Sequence, residues 1–503
     1  MKGIFMLLLS PLISVPAQIV GALHGSPREL GTRETTVGSS NVTNVSNQDY
    51  YINVTLGGIP FEVLIDTGSS DLSVSGSVPN AHDTGKIGDV SYVVGGAKGP
   101  VQTTELELLG YLVPDQAFIN QLASNMSLMG SGVIGLGPPS GSVVLSTLGS
   151  STGKPALEQI FEQNKTTPNY LTVLLGRTDD QGGDSMGYLT IGETLPQYSN
   201  IISQPKLAIT TVPSSDNGNQ YWQTLLDADG VIGPTGESVK IQSAVSSTSN
   251  KEQLTVVFIT GYSLPQVPAA IAEAFYGSVP GASLITDPTV NGKIWRVPCE
   301  YEVNVTFKFA GLSYRVNPLD TVVTANAIDD NGEKICYGAF QPSCAQTQEY
   351  DIIFGVAFLR NVYMLINFGD YVDGSTTNRA APYIQLLSTS SDTAQMHDDY
   401  VSLRGALFWR PTPLPPNYSS GTPWVQRHLL LIISLSVVIS LTLIGTTVVC
   451  LAKRRGSKTM GAPMRSMLID QKYQTLDKYV PEQEDILPLL DPESMPQAWD
   501  SPR

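Results

Sequence analysis

Short runs of β-branched and aromatic residues alternate with clusters of Gly, Pro, Asn and Asp from Asp49 to about Leu387. Runs such as Tyr51 to Leu56, Phe61 to Ile65, Tyr188 to Ile191 and Val303 to Phe309 have the length and composition of strands bounded by turns. Helical patterning is confined to two patches, Ala156 to Glu162 and Pro268 to Phe275, the second opened by a proline that suits a first helical turn. The pattern predicts a mainly β fold.

Two apolar segments flank this region. Residues 1–17 carry Lys2, an apolar run from Ile4 to Leu9, and small residues at Val15 and Ala17, the layout of a secretory signal peptide. Residues 429–452 hold no charge and would span about 36 Å as a helix, enough for a hydrocarbon core of about 30 Å. Lys453, Arg454, Arg455 and Lys458 follow at once, which orients the C-terminus towards the cytoplasm. The expected topology is a single-pass type I membrane protein of the secretory pathway, at the cell surface or in an endosome or vacuole.

Composition sharpens this reading. Only 15% of the 503 residues are charged, and the net charge of −16 argues against a nucleic-acid partner. The sequons at Asn41, Asn44, Asn53, Asn125, Asn164, Asn304 and Asn417 all precede the apolar span, as expected of a glycosylated exterior. Of the four cysteines, Cys299, Cys336 and Cys344 lie on that side, so they form one disulfide at most and leave an odd thiol. Cys450 sits at the cytoplasmic edge of the span, a place for palmitoylation or for a small apolar residue. Residues 18–48 are a short variable segment of Ser, Thr, Asn and Gly. Residues 389–427 read as an extended stalk, and 453–503 as a polar, disordered tail.

The folded region echoes itself. Glu62-Val63-Leu64-Ile65-Asp66-Thr67-Gly68-Ser69-Ser70 ends a hydrophobic strand in a tight turn. Thr255-Val256-Val257-Phe258-Ile259-Thr260-Gly261-Tyr262-Ser263-Leu264 does the same. Each is followed by an apolar element ending in glycine, Val133 to Gly137 and Ile352 to Gly355.

In these residues the chain resembles the pepsin-like aspartic proteases, peptidase A1, over about Tyr50 to Leu387. Asp66-Thr67-Gly68-Ser69-Ser70-Asp71-Leu72 resembles the first active-site turn. Ser91-Tyr92-Val93-Val94-Gly95 with Gly99 looks like the flap hairpin, Tyr92 standing for the flap tyrosine. The resemblance implies a bilobal fold, with an N-terminal lobe over 49–210 and a C-terminal lobe over 211–388. It also implies a disulfide between Cys299 and Cys336, with Cys344 left over, and a cleft lined by Gly68, Ser69, Tyr92, Thr260 and Gly261.

The departures bear on chemistry. Ile259 stands where the family's second catalytic aspartate belongs, Tyr262 replaces the hydroxyl residue that orients it, and Ser73 replaces the usual tryptophan. Hydrolysis in this family needs two carboxylates about 3 Å apart that share one proton, so that one activates water and the other polarises the carbonyl. Asp66 is left without that partner. Asp71, read as following on the same strand, would point elsewhere. The histidines are His24, His82, His397 and His428, and only His82 lies within the folded region so defined, too few for a triad or a zinc site. No metal or cofactor is expected.

The function implied is a catalytically inactive or strongly impaired protease-like ectodomain whose cleft binds an extended peptide or protein. The alternative is an active aspartic endopeptidase at the cell surface or in an endosome or vacuole. In the tail, Tyr473-Gln474-Thr475-Leu476 is a tyrosine-based pattern, and Asp485 with Leu489 and Leu490 an acidic-dileucine pattern. Both resemble adaptor-binding sorting signals.

Overall fold

The predicted alternation becomes eight strands around the first turn in a computed structural model of the chain. These are β1 (Ser39–Val45), β2 (Asp49–Leu56), β3 (Ile59–Asp66), β4 (Leu72–Ser75), β5 (His82–Ser91), β6 (Gly96–Leu108), β7 (Tyr111–Gln121) and β8 (Ser131–Gly135). The structure describes residues 38–405, apart from 93–94, 122–130, 150, 164–166, 179–186, 213–218, 287–291, 329–331, 333, 344–348, 370–379 and 390–391. The signal-peptide segment, Cys344, Cys450, the apolar span at 429–452 and the tail residues Tyr473, Leu476, Asp485, Leu489 and Leu490 lie outside the described residues. No described helix is long and apolar enough to cross a membrane. The chain divides after Ser420, and every described residue belongs to the first of its two units.

The fold begins earlier than the residue pattern suggests. Within the segment read as 18–48, β1 pairs through Ser39 to Val42 with the strand β10 (Gly187–Ile191), and through Thr43 to Val45 with β2. Val42 is its one fully buried side chain, so β1 contributes mainly backbone hydrogen bonds and leaves little hydrophobic signal.

The two turns rest on matching strand pairs. β3 runs parallel to β8, with Asp66 opposite Gly135. Thr255–Phe258 runs parallel to Ile352–Phe354, with Phe258 opposite Phe354. Phe354 and Phe358 stack at 4.0 Å between centroids, and Phe307 meets Phe354 edge to face at 4.7 Å. This aromatic core lies directly behind the second turn.

The expected boundary at residue 210 does not separate the lobes cleanly. The strands Val362–Asn367 and Tyr383–Ser388 come from the second half of the chain. They extend a sheet that contains β9 (Tyr170–Leu174), β10 and β1 from the first. A shared sheet gives the base of the molecule one continuous hydrogen-bond ladder.

Among the described residues the α-helices are few and short: α1 (Val143–Leu148), α2 (Ala156–Gln163), α3 (Ala269–Tyr276), α4 (Pro318–Thr321), α5 (Val356–Leu359) and α6 (Thr393–Arg404). Pro268 caps α3 rather than opening its first turn. The larger surprise is α6, which occupies part of the expected stalk. Asp392 caps it by accepting from the Ala394 and Gln395 N–H groups, and Gly405 closes it in a left-handed conformation, φ 64°. Met396 and Tyr400, four residues apart, are buried against the second lobe, and the Tyr400 hydroxyl lies 2.8 Å from the carbonyl oxygens of Cys299 and Tyr301. Two apolar anchors in a polar helix are too few to stand out in sequence.

Cys299 and Cys336 form the disulfide, with Cα atoms 5.2 Å apart across 37 residues. The Arg404 guanidinium of α6 lies 3.3 Å from Cys336 Sγ. A loop of that length implies a chain-entropy contribution of about 4 kcal/mol. The Cys299→Ala/Cys336→Ala double variant is therefore expected to lose about that much stability in a denaturant titration. An unchanged midpoint would show that the bond does not constrain the unfolded chain.

Candidate active site

Two threonines lock the turns together. Thr67 Oγ1 donates to Phe258 O at 2.7 Å and accepts from the Thr260 N–H at 3.0 Å. Thr260 Oγ1 donates to Ile65 O at 2.8 Å and accepts from the Thr67 N–H at 3.0 Å. Both residues are wholly buried. Thr260, expected in the cleft, has its hydroxyl committed to this grip instead. The reciprocal bonds fix the relation between the first residues of the two turns, Asp66 and Ile259.

The glycines set their closeness. A Cβ on Gly68 would stand 2.8 Å from Ile259 Cγ2, and a Cβ on Gly261 only 2.6 Å from Asp66 Oδ1. Each glycine therefore packs against the leading side chain of the opposite turn, and a Cβ there would force that side chain to shift. The branched side chain of Ile259 is half-buried and faces the carboxylate across the midline.

Asp66 is 8% exposed, and burial pushes its carboxyl above the usual carboxylate range. The Gly68 N–H, donating to Oδ1 at 2.9 Å, and the Gly261 N–H pull back towards the ionised form. The Ser69 hydroxyl pulls the same way. Among the described residues, no second carboxylate is among the groups that shift Asp66. A raised folded-state pKa means that this group favours folding most below the ordinary value of 3.8, and that the contribution is lost as pH rises through the folded pKa. Asp66→Asn is accordingly expected to unfold at a higher temperature than wild type at neutral pH and to lose that advantage in acid. A lower midpoint for the variant at neutral pH would contradict the burial argument.

Asp71 is not on the strand of Asp66 but in the turn before β4. Its carboxylate accepts from Ser142 Oγ at 2.5 Å and the Val143 N–H at 2.8 Å, holding the start of α1. Its carboxylate is committed to that helix start rather than to the Asp66 turn. The hairpin of β5 and β6 forms the flap, closed by the Tyr92 N–H donating to Gly95 O at 3.1 Å. The Tyr92 hydroxyl lies 3.5 Å from Ser73 Oγ, which also accepts from Gln121 Nε2 at 3.0 Å. Burial lifts the Tyr92 pKa to about 12, with Ser73 opposing it.

Three aromatic residues near the turns escaped the sequence pattern. Tyr221 and Tyr350 meet edge to face at 5.7 Å, and burial raises the pKa of both. The charges of Glu349 and Asp66 add to the rise at Tyr221. Trp222 donates from its indole nitrogen to Leu136 O at 2.8 Å, joining the turn regions. Single aromatics in loops carry no periodic signal.

The sequons differ in setting. Asn53 and Asn304 are exposed and Asn41 is half-buried in β1. Asn44 donates from Nδ2 to both Asn47 Oδ1 and Gly176 O at 2.8 Å, so a sugar there would displace one of these bonds. Asn125, Asn164 and Asn417 lie outside the described residues.

Comparison with known proteins agrees with this geometry. The family model for eukaryotic aspartyl proteases matches residues 49–374. The chain is 24% identical to the Major aspartyl peptidase 1 of Cryptococcus neoformans var. grubii over 71% of its own length and 75% of that protein. It is 25% identical to an aspartic protease of Phaffia rhodozyma over 66% and 77%. Among solved structures, the aspartic proteinase from Irpex lacteus superposes with a TM-score of 0.54 at 20% identity. That match covers 71% of this chain and 99% of the other. With paired turns, threonine grip, flap and an extended match to the family model, this chain belongs to the eukaryotic aspartyl protease family.

Proposed function

We propose that the protein is a membrane-anchored, protease-like receptor whose cleft holds extended peptide or protein segments without cutting them. The observation that carries this reading is Ile259 facing Asp66 where a proton-sharing carboxylate would have to stand. A lone acid can accept a hydrogen bond from a peptide or hold a water. It cannot both deprotonate that water and protonate the carbonyl oxygen in one step. The flap hairpin remains available to grip a ligand through backbone bonds. In this reading residues 1–17 direct secretion, 429–452 anchor the chain, and Tyr473, Leu476, Asp485, Leu489 and Leu490 engage sorting adaptors. The retained Asp66 and flap support a second reading, an endopeptidase of low activity.

The test uses the full-length protein in detergent. A casein-type substrate at acidic pH is expected to survive incubation, while a peptide mimic of the tetrahedral intermediate still binds. Cleavage by wild type that disappears in Asp66→Ala would sink the receptor reading in favour of the endopeptidase.

A further inference from the structure

A concave feature lies between a small sheet of the second half of the chain and helix α6. Val231–Ile232, Val305–Phe309 and Leu312–Val316 form a three-stranded antiparallel sheet. Its inner face buries Phe307 and Phe309, so the alternate residues Thr306 and Lys308 point outwards. Helix α6 runs beside that outer face. Between them is a cleft of about 840 Å³, within the roughly 300–1,000 Å³ of small-ligand sites. Its sheet side carries Asn304, Thr306, Lys308 and Arg315, and its helix side Met396 and His397.

Asn304 and Thr306 are the acceptor and the hydroxyl of one sequon. Two apart in an extended run, they face the same way, into the cleft. Asn304 is exposed, and its Nδ2 donates to Glu302 Oε1 at 3.0 Å. Glu302 Oε2 lies 2.6 Å from His397 Nδ1. A hydrogen-bonded chain thus runs from the sequon to α6.

We propose that Asn304 carries an N-linked oligosaccharide whose first sugars lie in this cleft and clasp α6 to the sheet. The occupant is fixed by the acceptor itself being part of the lining. In the transfer, Nδ2 forms a bond to the sugar C1 of a lipid-pyrophosphate-linked oligosaccharide. The C1–O bond to pyrophosphate breaks, and one amide proton leaves. The second amide hydrogen remains, so the bond to Glu302 survives modification, in contrast to Asn44, where both hydrogens are already engaged. A sugar ring has an apolar face and a rim of hydroxyls. The cleft offers matching surfaces in Met396, Val401 and Pro234 beside Lys308, Arg315 and Glu302.

The test uses full-length protein made in a eukaryotic host, with site-resolved mass spectrometry of the glycopeptides and hydrogen exchange over residues 393–404. Asn304 is expected to be occupied. Exchange in α6 is expected to rise about tenfold in Thr306→Ala, and equally in wild type stripped of its sugars after folding, the second arm excluding a folding defect of the variant. Thr306→Ser, which keeps the sequon, should match wild type. An unoccupied Asn304, or exchange in α6 that is the same with and without the oligosaccharide, overturns the proposal.

Discussion

Aspartate at position 259 is expected to make this cleft hydrolyse peptides, raising cleavage at acidic pH by about 10²–10⁴-fold over wild type. The substitution supplies a second carboxyl where Ile259 now faces Asp66, on a turn already locked by Thr67 and Thr260. It also removes apolar bulk from the midline. Two carboxyls so close cannot both ionise, so one proton is shared and the pair acquires two separate apparent pKa values. The rate should therefore gain a bell-shaped pH profile, and Asp66→Ala/Ile259→Asp should fall back to the wild-type level. Adding Tyr262→Thr restores a hydroxyl near the new acid and should raise the rate further. A folded Ile259→Asp protein that cleaves no faster than wild type would show that the side chain at position 259 is not what limits the site.

The second large effect is structural. Asp320, wholly buried on α4, accepts from Arg360 Nε at 2.7 Å and Asn361 Nδ2 at 2.9 Å, and pairs with the Arg177 guanidinium. Arg177 follows β9 in the first half of the chain, while Arg360 follows α5 in the second and also donates to Asn47 O at 2.5 Å. One carboxylate thus ties both halves. Removing it leaves two buried guanidiniums without a counter-charge, so Asp320→Ala is expected to cost about 3–5 kcal/mol, a large share of a typical 5–15 kcal/mol. Chemical denaturation measures this directly, and a loss under about 1 kcal/mol would mean that water already solvates the arginines.

The same group makes a prediction about acid. Burial alone would raise the Asp320 pKa, but the Arg177 and Arg360 guanidiniums more than cancel that and hold it below its ordinary value of 3.8. A depressed folded pKa means that the contribution is intact above 3.8 and is lost as pH falls through the folded value. The stability gap between wild type and Asp320→Ala should therefore be constant from neutral pH to mild acid and narrow only in strong acid. Asp66 behaves in the opposite sense, because it has burial without a cation.

Some of this was open to reading in the linear chain. The strands at Tyr51 to Leu56 and Phe61 to Ile65 and the helix at Ala156 were legible because alternation and turn residues act between near neighbours. The Thr-Gly turns were legible too, and the resemblance assigned Ile259 its place opposite Asp66. The β1 strand was not, since its one buried side chain, Val42, is too little to mark a sheet.

By itself, then, the amino-acid order determined a mainly β chain with two Thr-Gly turns, one acid between them, and apolar segments at both flanks. Folding alone decided that Thr260 lies in the grip with Thr67, 193 residues away, and not in the cleft. It alone also decided that Arg177 and Arg360 share Asp320, and that Met396 and Tyr400 dock a helix where a stalk was expected. The reason is range: a turn or a strand is specified by residues a few positions apart, whereas a buried charge or a docked helix depends on partners that only the completed fold brings within bonding distance.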